Sequence, residues 1–195
     1  MASGEELNTG EATEPRQAAT VIVLRGGGDT LEVLLVRRNP EVRFMGGAWV
    51  FPGGAVDADE DHRVAGVREV AEEAGVDLPD PAALVLFSRW ITPPQVKIRF
   101  DTLFYLVAAP EGAEPRPDGG ETVDVRWYEP RAALDDGIEL VFPTIKTLEA
   151  LARFGSSGEL LSWAEGREVE PIVPRVVIEG EVARVVLPGE PGYRD

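Results

Sequence analysis

The chain has 195 residues, enough for one domain with a full core, and sets 35 acidic side chains against 19 basic ones for a formal charge of −16. Charge of that size repels nucleic-acid phosphates and anionic membranes, so an anionic ligand would need a bound cation or a local basic patch. The sequence has no cysteine, which excludes disulfide and thiolate–zinc chemistry, and its single histidine, His62, removes most histidine-based triads and metal sites.

Residues 1–17, MASGEELNTGEATEPRQ, are small, polar and acidic without periodicity, and are predicted to form a disordered acidic tail. They carry neither a basic leader nor an apolar signal core, and no apolar run approaches the roughly 18 residues of a membrane span. The expectation is a cytoplasmic protein with no membrane or nucleic-acid partner. Order is expected from Ala19, where ATVIVLR makes a strand that stops at Gly26, Gly27 and Gly28; LEVLLVRR, Leu31 to Arg38, follows at hairpin spacing. Asn39 and Pro40 open a loop with a short strand around Trp49 to Phe51, and Pro52, Gly53 and Gly54 read as a turn. A helix is predicted over Asp61 to Ala74, stopped by Gly75. Further strands are expected at Ala83 to Trp90, Ile98 to Ala108 and Val123 to Tyr128. Helices are expected at Pro130 to Leu134, at the amphipathic Pro143 to Phe154, and at Glu159 to Ala164. PIVPRVVIEG and EVARVVLPG close the chain as a hairpin. Strands on both sides of a central helix, with helices after them, give an α+β sandwich.

The stretch Arg68 to Gly75, REVAEEAG, concentrates charge on the central helix. At about 100° per residue, Val64, Val67, Val70, Ala71 and Ala74 form one apolar stripe, and Glu69, Glu72 and Glu73 fall together on the opposite side. An acidic helix face is ordinarily a solvated one. Here, however, like charges three and four residues apart repel, and acids near a helix C-terminus oppose the macrodipole. A divalent cation would turn that repulsion into a ligand set, since Mg²⁺ takes carboxylate oxygens, waters and phosphates.

The whole segment Gly54 to Val76, GAVDADEDHRVAGVREVAEEAGV, fits G-x5-E-x7-R-E-U-x-E-E-x-G-U without a mismatch, with Val70 and Val76 at the apolar positions. On these residues the chain resembles the Nudix hydrolase family from about residue 18 to residue 154. The resemblance implies an α+β Nudix fold, an α/β/α sandwich with a mixed central sheet and a catalytic loop-helix-loop. Residues 155–195 are then a C-terminal extension, a short helix and hairpin packed on the domain. It also implies hydrolysis of a nucleoside diphosphate linked to another group, with Mg²⁺ (or Mn²⁺), and a homodimer. By position, Glu69, Glu72 and Glu73 would be the main metal ligands, helped by the carbonyl of Gly53. Arg68 would orient these carboxylates, Glu60 would be a more peripheral acid reaching metal through water, and Gly54 and Gly75 would shape the turns. The catalytic base in such enzymes is a box glutamate or a loop acid outside the box; Glu121 is the external candidate, with Asp118 the alternative. His62 is expected to be a surface residue.

Substrate choice is read outside the box. LLVRRNPEVRFMGGAWVFPGG, Leu34 to Gly54, resembles the motif of coenzyme A diphosphatases at Leu34, Leu35, Arg38, Arg43, Gly47, Phe51, Pro52, Gly53 and Gly54, with Val36 and Asn39 departing from it. WITPPQVKIRFDTLFYLVAAP, Trp90 to Pro110, is similar to the acyl-CoA-cleaving members. The implied substrate is CoA or an acyl-CoA; the alternatives are an ADP-ribose, dinucleotide or nucleotide-sugar pyrophosphatase, or a non-catalytic ligand-binding module. Arg37, Arg38, Arg43, Lys97 and Arg99 form a basic group suited to phosphate. Trp49, Trp90, Phe44 and Met45 are candidates to stack on adenine or line an acyl pocket, against the ordinary role of such side chains in a core.

Overall fold

The computed structural model describes residues 8, 10–42, 45–179 and 182–193. In chain order the elements are β1 (Arg16–Arg25), β2 (Glu32–Arg38), β3 (Trp49–Val50), β4 (Gly53–Ala55), α1 (His62–Ala74), β5 (Val85–Ile91), β6 (Phe100–Ala108), β7 (Thr122–Tyr128), α2 (Pro130–Asp135), α3 (Phe142–Leu151), α4 (Ser157–Ala164), β8 (Pro171–Ile172), β9 (Arg175–Glu179) and β10 (Val182–Val186). Of the predicted tail, residues 1–7 and 9 lie outside the described residues. The first strand starts at Arg16 and not at Ala19, because from Arg16 onward its backbone is already laddered in parallel to Phe100 and its successors on β6.

The main sheet runs β3-β2-β1-β6-β5-β8, with β4 also paired to β1 and β7 to β2. The β1·β6 and β5·β8 pairs are parallel and the others antiparallel, so the sheet is mixed as expected. Alternation along β1 sorts the core into two layers. Ala19, Val21 and Val23 face α1 together with Leu34, Val36, Tyr105 and Val107. Ile22 and Leu24 face the other way, onto Leu148 and Leu151 of α3 and Leu160 and Ala164 of α4. The C-terminal pieces form the two-stranded hairpin β9–β10, and β8 adds to the main sheet's edge.

Two differences from the predicted elements bear on function. Gly53 and Gly54, read as a turn, are strand β4, in register with Thr20 and Ala19 of β1. Glycine is required there because a Cβ at Gly53 would collide with the Ala19 carbonyl and the Thr20 backbone. The second difference is a rotation of α1. Its ends are as predicted: the Asp61 carboxylate caps the amides of Arg63 at 2.8 Å and Val64 at 3.0 Å, and Gly75 closes the helix in the left-handed region. Its buried face is not. Val64 is 42% exposed, while Ala65, Gly66, Val70, Glu73 and Ala74 are buried. Gly66 is the physical reason: a Cβ there would stand 2.7 Å from Val21 Cγ2, so the helix lies against the sheet on its glycine side. Glu73, two turns further on, shares that face and is carried inward.

Candidate active site

The sheet opens beside the box. Strands β1 and β2 are paired only at Leu24–Val33 and Arg25–Glu32; beyond that, β1 takes β4 and β2 takes β3 and β7. The C-terminal half of α1 feeds its carboxylates into this opening. A cleft of about 880 Å³ runs from there across the face of β4, β1, β6 and β5, lined at one end by Glu69, Glu72, Glu73 and Glu121 and elsewhere mostly by apolar side chains.

Among the described residues Glu73 is the least accessible carboxylate, only 3% exposed. Its Oε2 accepts a hydrogen bond from the Gly53 amide at 2.9 Å, and Arg38 Nη1 stands 3.7 Å from Oε1. Burial dominates over that amide and over Arg38, and with Glu69 and Glu121 nearby it raises the carboxyl to about 7. Glu69 is likewise raised, chiefly by burial, against the pull of Arg68. Its carboxylate fills the space where a side chain at residue 54 would begin, which gives Gly54 a reason beyond turn geometry.

Arg68 spans the remaining acids. Nη2 donates to Glu60 Oε1 at 2.6 Å and to the Ala55 carbonyl at 3.1 Å, and Nη1 donates to Glu69 at 2.7 Å and Glu72 at 3.0 Å. Its hydrogen bond to Glu60 is the main reason its own basicity is raised, and the same bond holds Glu60 below the usual carboxylate range. Glu60 therefore faces the guanidinium. Among the described residues no three carboxylate or histidine groups already stand together as a formed metal cluster. The donor set nevertheless fits a hard divalent cation. Glu69 and Glu73 offer carboxylate oxygens whose charge is destabilised by burial, and Glu72, one turn beyond Glu69 and next to Glu73, lines the same end of the cleft.

The model of the NUDIX domain matches residues 14–148. The chain belongs to the NUDIX family. A crystal structure of a NUDIX hydrolase from Alicyclobacillus acidocaldarius superposes with a TM-score of 0.67 at 28% identity, covering 77% of this chain and 96% of that one. The MutT NUDIX hydrolase of Burkholderia pseudomallei gives 0.55 at 27% identity, over 70% and 98%. The m7GpppN-mRNA hydrolase NUDT17 of Bos taurus is 32% identical over 134 residues, 60% of this chain and 44% of that protein. The chain spans about half the length of the curated relatives it matches.

Within this NUDIX cleft the predicted basic group is only partly assembled. Arg38 lines it. Arg37 is exposed and donates to the Gly47 carbonyl at 3.3 Å; Arg99 donates to the carbonyls of Thr92 and Thr13; Lys97 is exposed. None of these three is a lining residue, and Arg43, like Phe44, lies outside the described residues. The cation that sequence reasoning missed is Arg16, which lines the cleft from the start of β1. Its signal was the alternation Arg16, Ala18, Thr20, one strand face continued two residues into the supposed tail. Trp90 and Met45 line the cleft, whereas Trp49 is core, edge-on to Tyr128 at 5.7 Å. Met45 holds φ at +53°, a left-handed conformation uncommon outside glycine. His62 is half-buried, 3.0 Å from the Gln17 side-chain oxygen.

Two external acids differ in what they already do. Asp118 accepts from the Thr122 amide at 2.7 Å, the Thr122 hydroxyl at 2.9 Å and the Glu121 amide at 3.0 Å. Burial alone would raise Asp118, and these donors outweigh it to leave the group lowered. Glu121 is exposed at the cleft mouth, and its segment is held in place by Asn39, whose amide donates to the Glu121 carbonyl at 2.7 Å and whose side chain donates to the Gly120 carbonyl at 2.8 Å. Thr122 ties the same segment to α1, its hydroxyl donating to the Glu73 carbonyl at 2.7 Å.

Proposed function

We propose that the chain hydrolyses the pyrophosphate bond of a nucleoside diphosphate linked to another group, CoA or an acyl-CoA, with Mg²⁺ (or Mn²⁺) held by Glu69, Glu72, Glu73 and the Gly53 carbonyl. The observation that carries this reading is the buried carboxylate of Glu73 at the acidic end of the cleft, raised to about 7 with only an amide and a distant guanidinium to offset its charge. When bound, the metal supplies charge withdrawal from the diphosphate and a more acidic water. The chain's own residues do the rest. Arg68 keeps Glu69 and Glu72 on one side of the cleft while satisfying Glu60 and Ala55. Arg38 and Arg16 line the cleft and are suited to contact phosphate oxygens. Glu121 is the better-supported base, because the Asp118 carboxylate is already occupied with its own turn.

The bovine relative's name describes an mRNA-cap hydrolase. A charge of −16, with only Arg16, Arg38 and Arg68 as basic lining residues among the described ones, argues for a small-molecule diphosphate here and against an RNA body. The test is to incubate the protein and Mg²⁺ with CoA, acyl-CoA, ADP-ribose, NADH and nucleoside triphosphates and separate the products. Release of adenosine 3′,5′-bisphosphate from CoA or acyl-CoA, dependent on metal, is the expected result. ADP-ribose turnover far above CoA would overturn the substrate, and tight binding with no turnover of any diphosphate would overturn catalysis.

A further inference from the structure

The cleft is much longer than the carboxylate cluster that defines its catalytic end. From β4, where Gly53 and Gly54 meet Glu73 and Glu69, it crosses β1 at Ala18 and Thr20, β6 at Thr102 and Phe104, and β5 at Trp90. Three strand spacings of roughly 4.8 Å make that path about 14 Å. At its far end stand Pro174, just before the C-terminal hairpin, and Val176 and Val185 within it, all beyond the family match at residue 148. Val176 and Val185 are register partners across β9 and β10, so they stand on one hairpin face, and both line the cleft. The hairpin is anchored against the body: Val186 is fully buried, Leu187 packs on the α3/α4 core layer, and the Tyr193 hydroxyl donates to the Val173 carbonyl at 2.9 Å. The same lining holds aromatic rings, with Trp90 edge-on to Phe142 at 6.3 Å. Among the described residues the polar side chains lining the cleft on β1 and beyond are Arg16 and Thr20, with Arg16 in register with Phe100, and threonines at 92, 102 and 144.

On the reading of the site given above, we infer that the C-terminal hairpin is the specificity element of the enzyme: Val176 and Val185 close the far end of the cleft so that it takes a nucleoside diphosphate whose second arm is a long apolar chain. At the valines and aromatic rings, beyond the reach of Arg16, an arm bearing sugar hydroxyls or an ammonium group would lose its water with few partners in return. An apolar arm gains by burial, about 0.8 kcal/mol or fourfold in affinity for each methylene fully covered. An extended chain advances about 1.2 Å per bond, so an arm must be about twelve bonds long to run from the phosphate to the hairpin. The bond cleaved is the same as before. Water oxygen joins one phosphorus, its proton passes to the base, and the bridging oxygen leaves with the other phosphate, so an ADP alkyl ester gives AMP and an alkyl phosphate.

The probes are the methyl, butyl, octyl and dodecyl esters of ADP, assayed with Mg²⁺ for kcat and KM and titrated calorimetrically in chelator for binding alone. In the unaltered protein, kcat/KM should rise at least tenfold from butyl to dodecyl, through KM, with dodecyl-ADP also binding at least tenfold more tightly than methyl-ADP. The near-isosteric Val176→Thr and Val185→Thr variants should each lower kcat/KM for the dodecyl ester about threefold or more and Val176→Asp about thirtyfold, with the methyl ester unchanged within twofold in all three. No dependence on arm length, or an equal loss on methyl and dodecyl esters, would overturn the hairpin's role while leaving the hydrolase reading intact. If neither the esters nor any diphosphate of the panel above is cleaved, the hydrolase reading fails, and the binding titrations still decide the hairpin. Cleavage of the dodecyl ester but not of CoA would remove CoA and keep the apolar arm.

Discussion

Replacing Glu73 by Gln should stabilise the metal-free fold while costing the metal-loaded enzyme most of its activity. A carboxyl raised from its ordinary value of 4.5 to about 7 disfavours the folded state by about 3 kcal/mol once ionised. Because the folded value is the higher one, the unfolded chain gives up its proton first. Stability is complete below about pH 4.5, falls as pH rises toward 7, and settles at its lower level above that. The glutamine side chain of the Glu73→Gln variant would present an uncharged oxygen to the Gly53 amide, and this slope would be lost. Thermal unfolding in chelator should therefore separate the two proteins little at pH 4.5 and by roughly 6–12 °C in favour of the variant at pH 8, at about 2–4 °C per kcal/mol for a chain of this size. Adding Mg²⁺ at pH 8 should recover most of that difference in the unaltered protein and leave the variant where it was. Turnover by the variant should be lower by orders of magnitude. A gap between the two proteins that is independent of pH would refute the burial argument, and near-normal turnover would remove Glu73 from the ligand set.

Gly54→Ala places a methyl group in the space held by the Glu69 carboxylate; kcat should fall at least about a hundredfold with Tm within a few degrees, and retained activity would show that Glu69 need not stay there. Arg68→Lys keeps the charge but offers one ammonium where a guanidinium serves Glu60, Glu69, Glu72 and the Ala55 carbonyl. It should lower kcat and remove about 1–2 kcal/mol of stability by urea unfolding, and a neutral result would mean that only charge matters. Asp101, buried on β6, accepts Arg89 at 2.8 and 2.6 Å, and that pairing lowers it below the ordinary range. The pair's stabilisation is present above pH 4 and disappears as pH falls through the lowered value. Asp101→Asn should therefore lose about 1–2 kcal/mol at pH 7, discounted for the 40% exposure of Arg89, with the loss shrinking as pH falls through the lowered value.

What was legible in the sequence was local. Asp61 and Gly75 mark the ends of α1 by chemistry that acts over three or four residues, and the box is a linear pattern, so both could be read directly. The β4 pairing could not, because two consecutive glycines announce a turn unless the neighbouring strand that needs their missing side chains is already known. The rotation of α1 was hidden for the same reason: period and hydrophobicity favour Val64, and only contact between Gly66 and Val21 turns the helix the other way. The basic group shows the limit on the ligand side. Arg37, Arg38, Lys97 and Arg99 are equivalent as charges in a string. Strand alternation sends Arg37 and Arg38 to opposite faces, and backbone carbonyls take up Arg99.

These observations give the acidic helix a physical account that composition alone could not. The charge of −16 predisposes every glutamate to be read as solvent-facing, and Glu72, the most exposed of the three, fits that reading. Glu73 does not, since its ionised form is disfavoured by the packing that holds α1 on the sheet. Turning the helix back to expose the ionised carboxylate would press Val64 toward the sheet, withdraw Gly66 from Val21 and draw the Glu73 carboxylate away from the Gly53 amide. The apolar packing of one face of α1 and the position of its carboxylates are thus one constraint, which the metal-binding role proposed for Glu73 uses directly.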